Sequence, residues 1–246
     1  MNSYHVLRTN IQATSYQDAC DRIQGWIEAA KSCYIVAANV HVVMTGYWDQ
    51  SYQRVLNQAD LVTPDSTPLV WALRLLGEKI QQRVYGPDLM LAWCDRTAQL
   101  GHSIYLYGST EQTLEKLEKN LKAKFPTLAI AGSYAPPFRD YNEFDQEDLI
   151  RIQASGAKVI FVGLGCPKQE YWMAQAQGKI NAVMIGVGAA FDFHSGQVSQ
   201  APRWMMRFGL EWLYRLIQEP QRLWRRYLFN NPSFIVLFMI QLLQKK

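Results

Sequence analysis

Histidine and cysteine are scarce in this 246-residue chain, four of each, and neither is arranged to hold a metal. The cysteines (Cys20, Cys33, Cys94, Cys166) form no CxxC and no paired spacing, so neither a zinc site nor a disulfide framework is expected. They read as the thiols of a reducing cytoplasm. No second histidine lies three or four residues from His41 or His194, which leaves metal ligation by either without support. The longest uninterrupted apolar run is residues 234–240, against the roughly 20 residues that a spanning helix needs. Met1–Thr14 is mixed and polar, without the apolar centre of a secretory signal. A P-loop of the form G-x-x-x-x-G-K-[ST] is missing, and so is a complete G-x-G-x-x-G. Gly163 and Gly165 begin one, but Lys168 takes the third position, and the loop from Gly186 has Phe191 there. Nicotinamide chemistry and ATP hydrolysis are therefore disfavoured. No DxD triplet of the metal-binding kind occurs either.

What is present is lopsided. Gly196–Lys246 carries Arg203, Arg207, Arg215, Arg222, Arg225, Arg226, Lys245 and Lys246 against Glu211 and Glu219, a balance of +6. The whole chain is +4, so residues 1–195 sum to about −2. Trp204, Trp212, Trp224, Tyr214 and Tyr227 interleave with these cations, and the apolar run 234–240 follows. Cations, aromatics and apolar residues together suit a segment that meets polyanions at a membrane surface. A hydrophobic content of 49% allows a full core. The division expected is a main domain over 1–195 and a helical appendage over 196–246, joined at Gly196–Pro202.

Short apolar runs alternate with amphipathic ones along the main domain. Strands are predicted at Tyr34–Ala38, Asp60–Thr63, Ser103–Tyr107, Leu128–Gly132, Lys158–Gly163 and Ala182–Val187. Several lack polar alternation, as parallel strands covered on both faces do. Between them, Leu114, Leu117, Leu121 and Phe125 recur at helical spacing, with Ser109 and Gln112 placed as a capping box. The pattern predicts an α/β fold: a Rossmann-like, doubly wound, mostly parallel sheet with a C-terminal helical appendage.

In such sheets ligands bind beyond the carboxyl ends of the strands. The segments that follow the predicted strands hold Asn39 and His41; Asp65; Gly108; Gly163, Gly165, Lys168, Gln169 and Glu170; and Gly188 and Asp192. Asp65, between Pro64 and Pro68, could serve as a general base or could cap the helix predicted at Pro68–Leu76. Asp88 and Asp192 have the character of cap or turn residues. His41 and His194 suit either a substrate contact or a structural hydrogen bond. Arg83 is a phosphate ligand or a surface cation. The loop after Gly165 could direct backbone N–H groups at a diphosphate, or could be a tight turn. Arg222, Arg225 and Arg226 share a helix face, which fits bidentate diphosphate recognition or a solvated charged face. Nucleic acid is a poorer partner for a body that is slightly acidic.

An ordered series of motifs spans nearly the whole chain. It comprises Asn39-Val-His; Ala59-Asp-Leu-Val-Thr-Pro-Asp65; Arg83-Val-Tyr-Gly-Pro-Asp88; Val162-Gly-Leu-Gly-Cys-Pro-Lys-Gln-Glu170; and Gly186-Val-Gly-Ala-Ala-Phe-Asp192. Ala201-Pro-Arg-Trp204, Gly209-Leu-Glu-Trp-Leu-Tyr-Arg215 and Glu219-Pro-Gln-Arg-Leu-Trp-Arg-Arg-Tyr227 complete it. The series resembles the WecG/TagA/CpsF glycosyltransferases, family 26. The resemblance implies an inverting, metal-independent and cofactor-free hexosyltransferase of cell-surface polysaccharide synthesis (teichoic acid, capsule or exopolysaccharide). It would take N-acetylmannosamine or a related sugar from a UDP donor to a polyprenyl-diphosphate-linked N-acetylglucosamine. The resemblance further implies Asp65 as base and Gln169 as a substrate ligand. Arg215, Arg222, Arg225 and Arg226 would lie at the diphosphates, on an appendage that closes over the site and docks peripherally on the cytoplasmic face of the membrane. A homo-oligomer is compatible with it. Three departures, Ser66 for glycine, Ala37 for threonine and Gln200 for arginine, leave the donor sugar open, including a plain UDP-hexose. A catalytically idle sugar-nucleotide-binding scaffold remains the alternative.

Overall fold

The computed structural model describes residues 2–79, 81–140 and 145–244. Its strands in chain order are β1 (Ser3–Val6), β2 (Thr9–Gln12), β3 (Cys33–Ala38), β4 (Leu61–Pro64), β5 (Ser103–Gly108), β6 (Ala129–Tyr134), β7 (Val159–Gly163) and β8 (Val183–Gly186). The first helices are α1 (Tyr16–Glu28), α2 (Val40–Trp48), α3 (Gln50–Gln58), α4 (Thr67–Leu75), α5 (Gly86–Leu100) and α6 (Glu111–Lys124). They are followed by α7 (Gln146–Ala154), α8 (Lys168–Ala176), α9 (Ala190–His194), α10 (Arg203–Arg207), α11 (Glu211–Gln218) and α12 (Pro220–Gln244). All six predicted strands are present, within two residues at each end. The helix expected at Pro68–Leu76 is α4.

Strands β3 to β8 form one parallel sheet in the order β4-β3-β8-β7-β5-β6. Their side chains alternate between two buried clusters. Tyr34, Val36, Tyr105, Tyr107, Ile160, Val162 and Met184 face one side, where α2, α3, α4, α7, α8 and α12 cover them. Ile35, Ile104, Leu106, Val159, Phe161, Val183 and Ile185 face the other, under α1, α5, α6 and α9. Period-2 alternation into apolar layers on both faces is why these strands read as unbroken apolar runs. The order in which the chain adds strands reverses after β4, with β5 and β6 on the far side of β8 and β7, and the carboxyl ends of β3, β4, β7 and β8 open at that switch point.

Two local expectations are corrected. The cap of α6 is Thr110, whose Oγ1 accepts from the Thr113 N–H at 3.2 Å, and not Ser109 with Gln112. Ser109 sits in the left-handed region (φ 62°) and turns away from the helix. The N-terminal segment, read only as polar, is the antiparallel hairpin β1–β2. Val6 and Ile11 bury on one face of it, and Gln12 accepts from the Val62 N–H at 2.6 Å, covering the β4 edge. Its two-residue turn is Leu7-Arg8, with Leu7 at φ 56°, so none of the usual glycine or asparagine signals marks it.

The appendage folds back on the main domain. Leu223, Tyr227, Phe234 and Phe238 bury one face of α12, the last two in the same cluster as Val36 and Val43. Gln241 clasps the hairpin turn, its oxygen accepting from Leu7 N–H (2.7 Å) and its nitrogen donating to His5 O (2.6 Å). The opposite face leaves Leu228, Phe229, Ile235, Val236, Met239, Ile240 and Leu243 exposed. Phe234 and Phe238 are thus core residues and not part of an exposed run. Lys245 and Lys246 lie outside the described residues. Among the described residues no helix is long and apolar enough to cross a membrane.

The ends of β5 and β7 touch through glycine. A Cβ on Gly108 (φ 121°) would lie 2.6 Å from the Gly163 carbonyl carbon. Gly108→Ala combines a forbidden backbone region with that collision and should destabilise the protein by at least about 2 kcal/mol. Urea denaturation measures this, and a loss under about 0.5 kcal/mol would contradict the packing described.

Candidate active site

A cavity of about 360 Å³ opens at the switch point. Its floor comes from the strand ends, with Ala37 in β3 and Asn39 and His41 beyond it, Asp65 and Ser66 after β4, Gly163 ending β7 with Gly165 beyond it, and Gly186 ending β8 with Gly188 beyond it. The appendage supplies the opposite wall through Glu211, Trp212, Arg215, Arg222, Arg226, Tyr227 and Asn230.

Asp65 is 8% exposed. Its Oδ1 accepts from the Gly86 N–H at 2.6 Å, the first amide of α5, while Arg83 Nε donates to its backbone carbonyl. It does not cap α4, where Ser66 holds the cap position without a side-chain hydrogen bond. Burial raises the Asp65 carboxyl to about 6. The Arg83 cation and the Gly86 amide oppose the rise, Glu211 adds to it and Arg215 opposes it. The residue is therefore an ionised but destabilised carboxylate at neutral pH, as a general base should be.

Arg83 is not a surface cation. It pairs with Glu211 of α11 (2.6 Å), and Tyr85 OH donates to the other oxygen of Glu211 at 2.9 Å. The Arg83 guanidinium also lies over the Tyr85 ring, 4.0 Å from its centroid. This clasp fixes the appendage beside Asp65. A second bond, from Thr67 Oγ1 to Met206 O at 3.2 Å, ties α4 to α10.

Asn39 caps α2, its oxygen accepting from His41 N–H (3.0 Å) and Val42 N–H (3.2 Å), with Arg226 Nη2 at 3.5 Å. Its amide nitrogen is the part left for a ligand. Asn230 Nδ2 lies 3.0 Å from His41 Nδ1. With the amide donating, Nδ1 accepts and the ring proton sits on Nε2. Burial, then the Arg226 charge, depress His41 to about 3, so it stays neutral. Gln169 Oε1 accepts from Gly188 N–H at 3.1 Å, and its Nε2 donates to Glu170 at 2.7 Å. Asp192 lines the cavity, and burial raises its carboxyl.

Three arginines crowd the appendage wall. Among the described residues Arg215 Nε and Arg226 Nε are buried without a hydrogen-bond partner, and Arg222 forms one ion pair, with Glu219 (2.5 Å). Burial, reinforced by Arg215 and Arg222, lowers the Arg226 cation, a cost that a bound anion would relieve.

Other expected site residues lie outside this cavity. Gly108 serves the β5–β7 contact. Glu170 is wholly buried behind Gln169. Arg225 is exposed and lies by the Trp224 ring. Lys168 donates to Arg139 O (2.8 Å), stands over the Phe138 ring, and lines a second cavity of about 540 Å³. That cavity is the larger but lacks Asp65 and the arginine wall; the two meet at Ser109, Gly163 and Leu164. Asp88 pairs with Arg203 (2.9 Å) and His194 donates to Pro87 O (2.9 Å), both structural contacts. The N–H of Gln169 bonds Gly165 O (2.9 Å), so the turn after Gly165 engages that amide internally. Sequence reasoning missed Tyr85, Glu211 and Asn230. Glu211 carried a signal as a rare acid in a basic appendage, and Tyr85 and Glu211 lie inside the motif series; Asn230 carried none, because its partner His41 is 189 positions away. Among the described residues no three His, Cys, Asp or Glu side chains converge as a metal site would require.

The profile of the Glycosyl transferase WecG/TagA/CpsF family matches residues 4–246. A Bacillus spizizenii protein is 33% identical over 212 residues, covering 85% of this chain and 80% of its own length. A Bacillus subtilis protein is 28% identical over 244 residues, 99% of this chain and 92% of its own. A Staphylococcus aureus protein is 28% identical over 211 residues, 85% and 80%. All three are described as N-acetylglucosaminyldiphosphoundecaprenol N-acetyl-beta-D-mannosaminyltransferase.

The raised carboxyl has a consequence for stability. Asp65 holds its proton to about 6 when folded against 3.8 ordinarily, so between those values the native state binds more protons and stability falls as pH rises. Asp65→Asn removes this ionisation and keeps an oxygen for Gly86. Its stability relative to wild type should rise by on the order of 3 kcal/mol between pH 3.5 and pH 8. Denaturant melts at both pH values test this, and a difference that does not change with pH would contradict the buried ionisation.

Proposed function

We propose that this protein, which belongs to the WecG/TagA/CpsF glycosyl transferase family, moves N-acetylmannosamine from a UDP donor to N-acetylglucosamine carried on undecaprenyl diphosphate. The activity for which its relatives are named supports the reaction. One observation carries the reading at the level of the site: a buried carboxylate with a raised pKa and three arginines face each other across one cavity.

Asp65 takes the proton of the acceptor hydroxyl as its oxygen attacks the anomeric carbon. The bond from that carbon to the β-phosphate oxygen breaks on the opposite face, so the configuration inverts. UDP leaves with the bonding pair. Arg215, Arg222 and Arg226 meet the charge that develops on the diphosphate, without a divalent ion. Neutral His41 and the Asn39 and Gln169 amides hold sugar hydroxyls and the acetamido group. The second cavity, joined at Ser109, offers room for the nucleoside. Ala37 and Ser66 line the sugar side, and the Ser66 hydroxyl has no partner among the described residues, which favours a donor with a group to meet it.

The acceptor is a lipid, and the exposed face of α12 supports peripheral docking on the membrane that holds it. The main domain over 1–195 carries the base, and the appendage over 196–246 is the lid that completes the site.

Asp65→Asn should keep UDP-sugar binding and lose turnover by about 10²–10⁴-fold; near-normal turnover removes Asp65 as base. For wild type, kcat/KM should fall about tenfold per pH unit below about 6, because the base must be ionised. An acid limb that is unchanged when Asp65 is replaced would assign it elsewhere.

For docking, Phe229→Glu, Ile235→Glu and Met239→Glu together change only side chains that are at least half exposed. The triple variant should melt like wild type and no longer sediment with anionic phospholipid vesicles. Undiminished sedimentation would refute docking through this face.

A further inference from the structure

Glu170 is 0% exposed and forms no ion pair among the described residues. A carboxyl group buried without a counter-charge is costly, so its retention in the core asks for a role. Its Oε1 accepts from Gln169 Nε2 at 2.7 Å; among the described residues its Oε2 has no partner in full hydrogen-bond geometry, the Tyr52 hydroxyl being the polar group that lowers its carboxyl from nearby. Gln169, 5% exposed, lines the cavity that holds Asp65 and the arginines. The Gln169 oxygen accepts from Gly188 N–H (3.1 Å), so its NH₂ must turn the other way. One of those two N–H groups goes to Glu170, which leaves the second as a donor. Gly186 makes room for the arrangement, since a Cβ there would lie 3.0 Å from Gln169 Nε2.

We propose that Glu170 is a positioning residue that holds the Gln169 amide between two loops and directs its remaining N–H at the substrate. The assignment rests on reading this cavity as the transferase site. Tyr34 from β3, Tyr52 from α3, Cys166 from the loop before α8 and Arg226 from α12 face Glu170. Burial raises its carboxyl above the ordinary range, with Gln169, Tyr52 and Arg226 opposing. Tyr52 OH is 3.2 Å from Cys166 Sγ and offers no positive charge to hold Glu170 ionised. A neutral acid suffices, because positioning needs only the oxygen that accepts from Gln169. An ionised group would be required if Glu170 touched substrate charge directly.

The two cases separate by substitution. UDP release is followed with a UDP-sugar and a short-chain polyprenyl-diphosphate-linked N-acetylglucosamine, giving kcat, KM and the pH profile. Glu170→Gln retains an acceptor oxygen and should stay within about threefold of wild-type kcat/KM, with the acid limb unmoved. Glu170→Met removes the acceptor and should lose at least tenfold. Combined with Gln169→Met it should cost nothing beyond Gln169→Met alone, since it acts only through that residue. If the Met variant does not fold, Glu170→Asp, which withdraws the oxygen by one methylene, takes its place with the same expected loss. The proposal is overturned if Glu170→Met keeps wild-type kcat/KM, if Glu170→Gln falls as far as Glu170→Met, or if the two losses multiply in the double variant. Wild-type protein that releases no UDP from any donor would instead remove the transferase reading.

Discussion

The site depends on Glu211. This side chain leaves the appendage, enters the main domain and takes one bond from Arg83 and one from Tyr85. Both members of the ion pair are less than one-fifth exposed. Breaking a pair so buried leaves an uncompensated charge, at a cost of about 3–5 kcal/mol. That is a large share of the roughly 5–15 kcal/mol that keeps a domain folded. The clasp also sets electrostatics. It places one anion and one cation beside Asp65, which oppose each other, so burial decides the pKa of Asp65. The appendage lines the same cavity through Glu211, Trp212 and Arg215. The position of the appendage and the pKa of Asp65 are therefore linked through Glu211 and Arg215.

The cavity's charge follows from this pairing. With Arg83 and Glu211 cancelling, the lining charges left are Asp65 and Asp192 against Arg215, Arg222 and Arg226, that is −2 against +3. The two acids lie on the main domain and the three cations on the appendage. A dianionic diphosphate held toward the appendage would reverse the local balance and satisfy the free Nε atoms of Arg215 and Arg226. It would also hold the appendage to the main domain, because Arg215 and Arg226 form no ion pair among the described residues. Neutral His41 and the two amides of Asn39 and Gln169 add direction without adding charge.

Much of this was legible in the sequence because parallel strands buried on both faces announce themselves. Cys33–Ala38 and Val159–Gly163 are apolar throughout, and the residues after them had to lie at one sheet edge. The hairpin was not legible. Ser3–Val6 buries only Val6, one of the two residues that Thr9–Gln12 buries is a threonine, and a leucine occupies the left-handed turn position. Asp65 was visible as a residue, but its bond to Gly86, 21 positions away, decides that it is no α4 cap. Arg225 and Arg226 are neighbours in a basic run, yet only the second reaches the cavity; helix phase separates them, not composition. Glu170 shares a motif with Gln169 and lies one layer deeper, a distinction that adjacent letters cannot carry.

Helix phase also settles how α12 divides its work. The sequence suggests a division by length, with arginines at the diphosphates and an apolar end on the bilayer. The helix instead divides by face. Tyr227, Phe234 and Phe238 hold one face to the domain, and Asn230 on the same side fixes His41. Leu228, Phe229, Ile235, Val236, Met239 and Ile240 point the other way along the same turns. Burying apolar side chains of this kind in lipid is worth roughly 1.5–3 kcal/mol each if complete. The exposed apolar face and the cavity wall thus belong to one helix, back to back. A surface pressed on the bilayer through the outer face would carry the inner face, with Arg226 and Tyr227, against the cavity. An acceptor tethered in the same bilayer would reach Asp65 across an edge of this helix, without leaving the membrane.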